Sequence, residues 1–166
     1  MNINIEERSN AAREYFLQGY NCCQSVVMAF SDIVGISPET LASAATGFGG
    51  GMGRMREVCG TVSAMTMLSG FLSPAPDPSE HAARTANYAL VQKFAAAFRE
   101  ETGSIVCREL LGVASPAEAH STSPAPSTRT GEYYKKRPCA ELVALAASIV
   151  ARHLAEKEQI SGIPKA

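Results

Sequence analysis

The sequence has no block of like charge: 15 Lys and Arg stand against 16 Asp and Glu, for a formal net of −1. That balance argues against broad nucleic-acid binding and against a polybasic membrane-facing surface. Nor is there an apolar h-region, since Met1 to Asn10 is polar and charged, so no secretory signal is expected. The uncharged stretch from Val58 to Pro76 has about the length of a bilayer span. Gly60, Thr61, Ser63, Thr66, Ser69, Gly70, Ser73 and Pro74 dilute it, which predicts a buried core helix instead. The expectation is a cytoplasmic protein without membrane insertion or a nucleic-acid partner. Thiols stay reduced in that compartment. Familiar catalytic patterns are missing too. His81, His120 and His153 lack zinc-protease spacing, and no Ser/His/Asp set or carboxylate pair can be singled out.

A convincing series of strands and an internal repeat are also lacking, while the helical period is strong. A first helix is predicted from about Ile5 to Leu17, stopped by Gly19. A second opens at Asn21, a good N-cap, and aligns Cys22, Val26, Ala29 and Ile33. Ser37-Pro38-Glu39-Thr40 starts a helix through Leu41 to Ala45. The run Gly47 to Arg54 breaks it. Glu57 to Leu72 is apolar almost all round, as a central helix would be. Asp77-Pro78-Ser79-Glu80 begins what the pattern makes the longest helix, reaching about Glu101. Its stripe is Tyr88, Val91, Ala95 and Phe98, flanked by Leu90 and Phe94. After Gly103 and Ser104 comes a short helix with Cys107, Leu110 and Leu111. Gly112 to Arg137 reads as a long loop. A last helix begins near Pro138 and aligns Cys139, Leu142, Ala146, Ile149 and His153, the histidine as a satisfied core residue. The length of 166 residues fits one domain, 1–166. The prediction is an all-α, single-domain bundle of about six to seven helices, with a glycine-rich loop and a long loop before the last helix. Homodimerisation suits such a protein.

Five cysteines, Cys22, Cys23, Cys59, Cys107 and Cys139, are spread along the chain. No C-x-x-C pair, c-type haem box or zinc-finger spacing organises them. Each falls in or near the first turn of a predicted helix, where unpaired N–H groups and the dipole favour a thiolate. Basic residues adjoin them: Arg54 and Arg56 before Cys59, Arg108 after Cys107, and Lys135, Lys136 and Arg137 before Cys139. Singly, a free cysteine packs as a small hydrophobe. Together, several of the five point to a shared site. Consecutive helical residues differ by roughly 100° in direction, so Cys22 faces that site and Cys23 packs elsewhere. Two like charges about 4 Å apart repel by about 4 kcal/mol near a protein surface. Four thiolates therefore need protons, disulfides or a metal.

The glycine loop lacks the Gly-Lys-Ser/Thr ending of a P-loop. Its glycines permit positive φ, as in any tight loop. Alternatively, Gly49, Gly50, Gly51 and Gly53 let the backbone pass close to the cysteines and offer N–H groups to sulfur or an anion. Tyr133 and Tyr134 either close over the site or belong to a solvated loop.

Three stretches carry a resemblance: Gly19-Tyr20-Asn21-Cys22-Cys23-Gln24-Ser25-Val26, Gly47 to Arg54, and Cys59-Gly60-Thr61-Val62-Ser63-Ala64. With Cys107-Arg108-Glu109-Leu110-Leu111-Gly112 and Cys139, the chain resembles the redox-active C_GCAxxG_C_C family over roughly residues 8–155. The four family cysteines match Cys22, Cys59, Cys107 and Cys139, and the resemblance implies that these are redox-active. Cys23 stands where the family usually has alanine. Thr61 replaces the alanine and Ala64 the final glycine of the Cys-Gly-Ala-x-x-Gly segment, and the second change is expected to alter helix packing after Cys59.

Three functional readings result. The four cysteines hold an iron–sulfur cluster, or cycle between dithiol and disulfide with an unknown redox partner, or hold structural zinc in a scaffold protein. A bland alternative keeps them as buried cysteines with no shared site and no cofactor.

Overall fold

A computed structural model describes residues 3–112 and 114–161. The expected span 1–166 thus extends beyond the described residues at both ends and at position 113. Ten α-helices occur among the described residues, six of them with seven or more residues. The all-α expectation holds. The one extended pairing there is a single antiparallel bridge between Val58 and Val106.

Most helix starts follow from local chemistry. Helix α1 (Ile5–Leu17) begins at Asn4, whose side chain accepts the Glu7 N–H. In α2 (Cys22–Met28), Asn21 and Gln24 form a reciprocal capping box, each bond 2.9 Å. Such a cap contributes about 1 kcal/mol. A short α3 (Ser31–Val34) ends at Gly35. Ser37 caps α4 (Pro38–Ala45), with Pro38 in its first turn. One 3-10 turn, Thr46–Phe48, leads into the glycine loop. Next come α5 (Gly60–Leu72), α6 (His81–Thr102), α7 (Cys107–Gly112), α8 (Pro116–His120), α9 (Gly131–Lys136) and α10 (Cys139–Ser161).

Helix α1 lies along α10, while α2 sits among α4, α5 and α10, and α6 covers α5. The core forms where these meet: Val26, Val27, Met65, Val143 and Val150 have no exposed surface. Burying a side chain of that size contributes about 1.5–3 kcal/mol. Arg13 clamps α1 to α10 through a two-pronged bond to Glu141 (3.1 and 2.9 Å).

Several expected boundaries shift. The stripe from Cys22 to Ile33 is divided, because α2 stops at Met28 and Ile33 belongs to α3. Helix α5 starts at Gly60 rather than Glu57, since Glu57 and Cys59 pair with the chain around Val106 instead. Helix α6 begins after Glu80, and its buried face is Leu90, Phe94 and Phe98. Tyr88 is 59% exposed. At 23 residues α10 exceeds the 22 of α6, so the expected longest helix is second. The stretch expected as one long loop contains α8 and α9. His153 does lie among apolar groups, with its ring edge-on to Phe94 at 5.4 Å. Both its nitrogens are buried without a hydrogen-bond partner, so it is not the satisfied histidine expected.

Candidate functional site

All four family-matched cysteines stand at helix starts, as expected: Cys22, Cys107 and Cys139 open α2, α7 and α10, and Cys59 is the residue before α5. They line one cavity of about 580 Å³, together with Gly49, Gly50, Gly51 and Gly53. Cys23 does not line it. It is fully buried, with its sulfur 3.9 Å from that of Met67. The 100° rule separated the two neighbours correctly.

Backbone pairing sets Cys59 beside Cys107. The Cys59 N–H donates to Ile105 O (2.8 Å) and the Cys107 N–H to Glu57 O (2.6 Å), on either side of the Val58–Val106 bridge. Close approach sets Cys22 beside the start of α5. A Cβ on Gly60 would stand 2.9 Å from Phe48 O, 3.1 Å from Cys22 Cβ and 3.2 Å from Cys23 N. The glycine loop closes the third side. A Cβ on Gly51 would meet Cys107 Cβ at 2.6 Å. Gly50 to Arg54 all have positive φ, including Met52 (62°) and Arg54 (66°), and so does Arg56 (62°). A left-handed backbone costs a non-glycine residue roughly 1–2 kcal/mol. The N–H groups of Met52, Gly53, Arg54, Met55, Arg56 and Glu57 all donate to carbonyls between Gly47 and Met52. Those six donors hold the loop's own shape.

Electrostatics divides the four sulfurs. The neighbouring Cys139, then burial, raises Cys22 well above its ordinary value. The neighbouring Cys22, assisted by Arg137 and Arg129 against burial, lowers Cys139 to about 7. The two thiols are thus shifted in opposite directions, Cys22 up and Cys139 down. Burial raises Cys59 to about 12, opposed by the Thr61 hydroxyl at 3.1 Å from its sulfur. Burial also raises Cys107, opposed by Arg56. Burial thus leads at Cys59 and Cys107, whereas at Cys139 the neighbouring Cys22 leads and Arg137 and Arg129 assist.

Of the basic residues adjoining the cysteines in sequence, Arg137 stays with Cys139, while Arg56 changes partner. Arg56 stands just before Cys59 but serves Cys107. Its side chain is 2% exposed and bonded to Ser121 O (3.1 Å) and Glu118 Oε2 (3.4 Å). Arg108 turns away to Glu57 (2.5 Å), and Lys135 and Lys136 turn to Glu132. Arg137 pairs with Glu118 at 2.6 Å and stacks on Tyr133 at 4.2 Å. Tyr133 lines the cavity, and Tyr134 packs edge-on against Phe16. Sequence reading missed Arg129 and Glu118, both within the stretch taken for a loop. The available signal was an isolated charge in a Ser/Pro-rich run.

A family model described as "Putative redox-active protein (C_GCAxxG_C_C)" matches residues 20–153. The chain belongs to that family. No curated protein and no solved structure matches it. The two departures from the C_GCAxxG_C_C pattern near Cys59 have different consequences. Ala64 is fully buried inside α5, which runs unbroken through it. Thr61 places a hydroxyl against Cys59 that an alanine would lack. Among the described residues, no group of three or more His, Cys, Asp or Glu is placed to hold a metal ion. No helix among the described residues is long and apolar enough to cross a membrane.

Proposed function

We propose that this C_GCAxxG_C_C protein is a thiol–disulfide redox centre in which Cys22 and Cys139 form the reacting pair. The observation that carries this reading is that both open helices on one cavity lined by Arg129 and Arg137, where the Cys139 thiol is lowered to about 7. The thiolate is the attacking species in disulfide exchange, and a pKa near ambient pH suits it best.

The electrons balance as follows. The Cys139 thiolate attacks one sulfur of a disulfide substrate, forms a mixed disulfide and expels the other half as a thiolate. That leaving group takes the Cys22 proton. The Cys22 thiolate then attacks Cys139 Sγ, closing the Cys22–Cys139 disulfide and releasing the second thiolate. Two electrons pass from the protein to the substrate, and an external dithiol restores the reduced form. Cys59 and Cys107 complete the proposed redox-active set as protonated thiols on the same cavity.

Mass-spectrometric mapping of the oxidised protein tests this, with iron, sulfide and zinc analysis of anaerobically purified protein. The expected result is one Cys22–Cys139 linkage and no stoichiometric metal. Stoichiometric iron and sulfide, or zinc, lost together with any of the four cysteines, would replace this reading with a cluster or a structural zinc site.

A further inference from the structure

The cavity that holds the thiols is also strongly cationic. Arg54, Arg56, Arg129 and Arg137 line it, and no acidic residue does so among the described residues. Glu118 alone answers three of them, at 3.9 Å from Arg54, 3.4 Å from Arg56 and 2.6 Å from Arg137. Even with Cys139 as a thiolate, positive charge is in surplus, and oxidation to the disulfide enlarges that surplus.

Arg129 is the least compensated of the four. It reaches Tyr20 O with Nη2 (3.2 Å) and stacks over Phe16 (4.4 Å) and Tyr133 (4.7 Å). Its Nη1 is buried with no acceptor. A buried donor without a partner costs about 1–3 kcal/mol, so an ordered guanidinium left in that state marks a place for an acceptor. Arg129 and Arg137 both lie over the Tyr133 ring, which restrains both planar forks. Restrained forks suit the two oxygens of a carboxylate or phosphate. Burial, and then the nearby Arg56, lower the basicity of Arg54.

We infer that the cavity is a subsite for an oxyanion, and that the substrate is a small disulfide carrying one, held by Arg129 and Arg137 with its sulfur–sulfur bond at Cys139. The substrate class rests on the thiol–disulfide reading above; the oxyanion subsite rests on the arginines alone.

Single-turnover reduction of three small disulfides by the reduced protein tests the substrate class: dithiodipropionate (anionic), hydroxyethyl disulfide (neutral) and cystamine (cationic). At low salt the anionic disulfide is expected to react at least about tenfold faster than the cationic one, the gap narrowing as salt rises. In Arg129→Met the anionic-to-neutral rate ratio should fall toward one, and Arg129→Lys should restore part of it. Equal rates for all three disulfides with the wild-type protein would overturn the substrate class and leave the thiol chemistry standing. Failure of all three to react would instead sink the redox reading. The subsite is judged separately by calorimetry of wild-type protein with adipate and with inorganic phosphate. Saturable binding of either supports it, the tighter one naming the head group, and binding of neither overturns it.

Discussion

Cys22 with Cys139 and Cys59 with Cys107 are two pairs of the same residue, at the same kind of helix position, on one cavity. They differ in what places them and in what surrounds the sulfur. Cys59 and Cys107 are pinned by main-chain hydrogen bonds around Val58 and Val106, with burial as the leading influence on both thiols. Cys22 and Cys139 come from α2 and α10, helices packed against each other, and line the cavity beside Arg129 and Arg137. A helix start therefore sets where a thiol sits, while partners and burial set whether it ionises. Only Cys139 gains enough favourable partners to overcome desolvation.

The largest effect expected from that contrast is at alkaline pH. In an unfolded chain thiols ionise near pH 8.5 or so, roughly. In the fold, burial holds Cys59 and Cys23 to about 12, and Cys22 and Cys107 are also shifted up. The folded state then binds more protons than the unfolded one above about pH 9, so stability falls as pH rises toward about 12. Cys139 has the opposite sign. With a folded value of about 7 its contribution is complete above the unfolded value and is lost as pH falls through about 7. Urea midpoints measured across this range should decline steadily on the alkaline side; a flat profile there would break the contrast.

Reactivity should separate the pairs next. Cys139→Ser is expected to slow reaction with hydroxyethyl disulfide at neutral pH by at least about twentyfold, the thiolate fraction lost when an ordinary thiol must attack. Cys59→Ser should cost far less, because Cys59 keeps its proton at that pH. Similar losses from both variants would mean that the two pairs act as one unit.

Gly60→Ala tests the placement of Cys22 against α5. The added methyl meets Phe48 O, Cys22 Cβ and Cys23 N, two of which are backbone atoms that cannot swing aside. Destabilisation of about 1–3 kcal/mol is expected by chemical denaturation. Gly70→Ala, in the same helix with nothing within 4 Å of the new methyl, should stabilise slightly. A neutral Gly60→Ala would show that the approach of α2 to α5 is loose.

The smallest expected change comes from Thr61→Ala, which restores the residue usual in the family. Loss of the hydroxyl at 3.1 Å should cost about 1 kcal/mol. It should also move the Cys59 thiol further up, since that contact opposes burial. Thiol titration followed by ultraviolet absorbance reads this directly. A downward move would reverse the role assigned to Thr61.

What the sequence determined by itself is local. Asn21 with Gln24 starts α2, Ser37 with Pro38 starts α4, and glycines at 19, 35 and 103 end helices, because caps and left-handed turns are chemistry among near neighbours. The four helix-start cysteines were legible on the same grounds, as was the turning away of Cys23. The start of α5 was not. Nothing near Glu57 announces that it will pair with residues some fifty positions away around Val106. The same holds for the basic residues: chain adjacency suggested Arg56 for Cys59 and Lys135, Lys136 and Arg137 for Cys139, whereas the folded chain gives Arg56 to Cys107, turns both lysines to Glu132, and leaves Arg137 at Cys139 joined by Arg129. Ionisation depends on distance and burial, and only packing fixes either. The sequence thus determined that four thiols stand at helix starts; the tertiary structure decided that they line one cavity, how deeply each is buried, and that four guanidiniums line it with them.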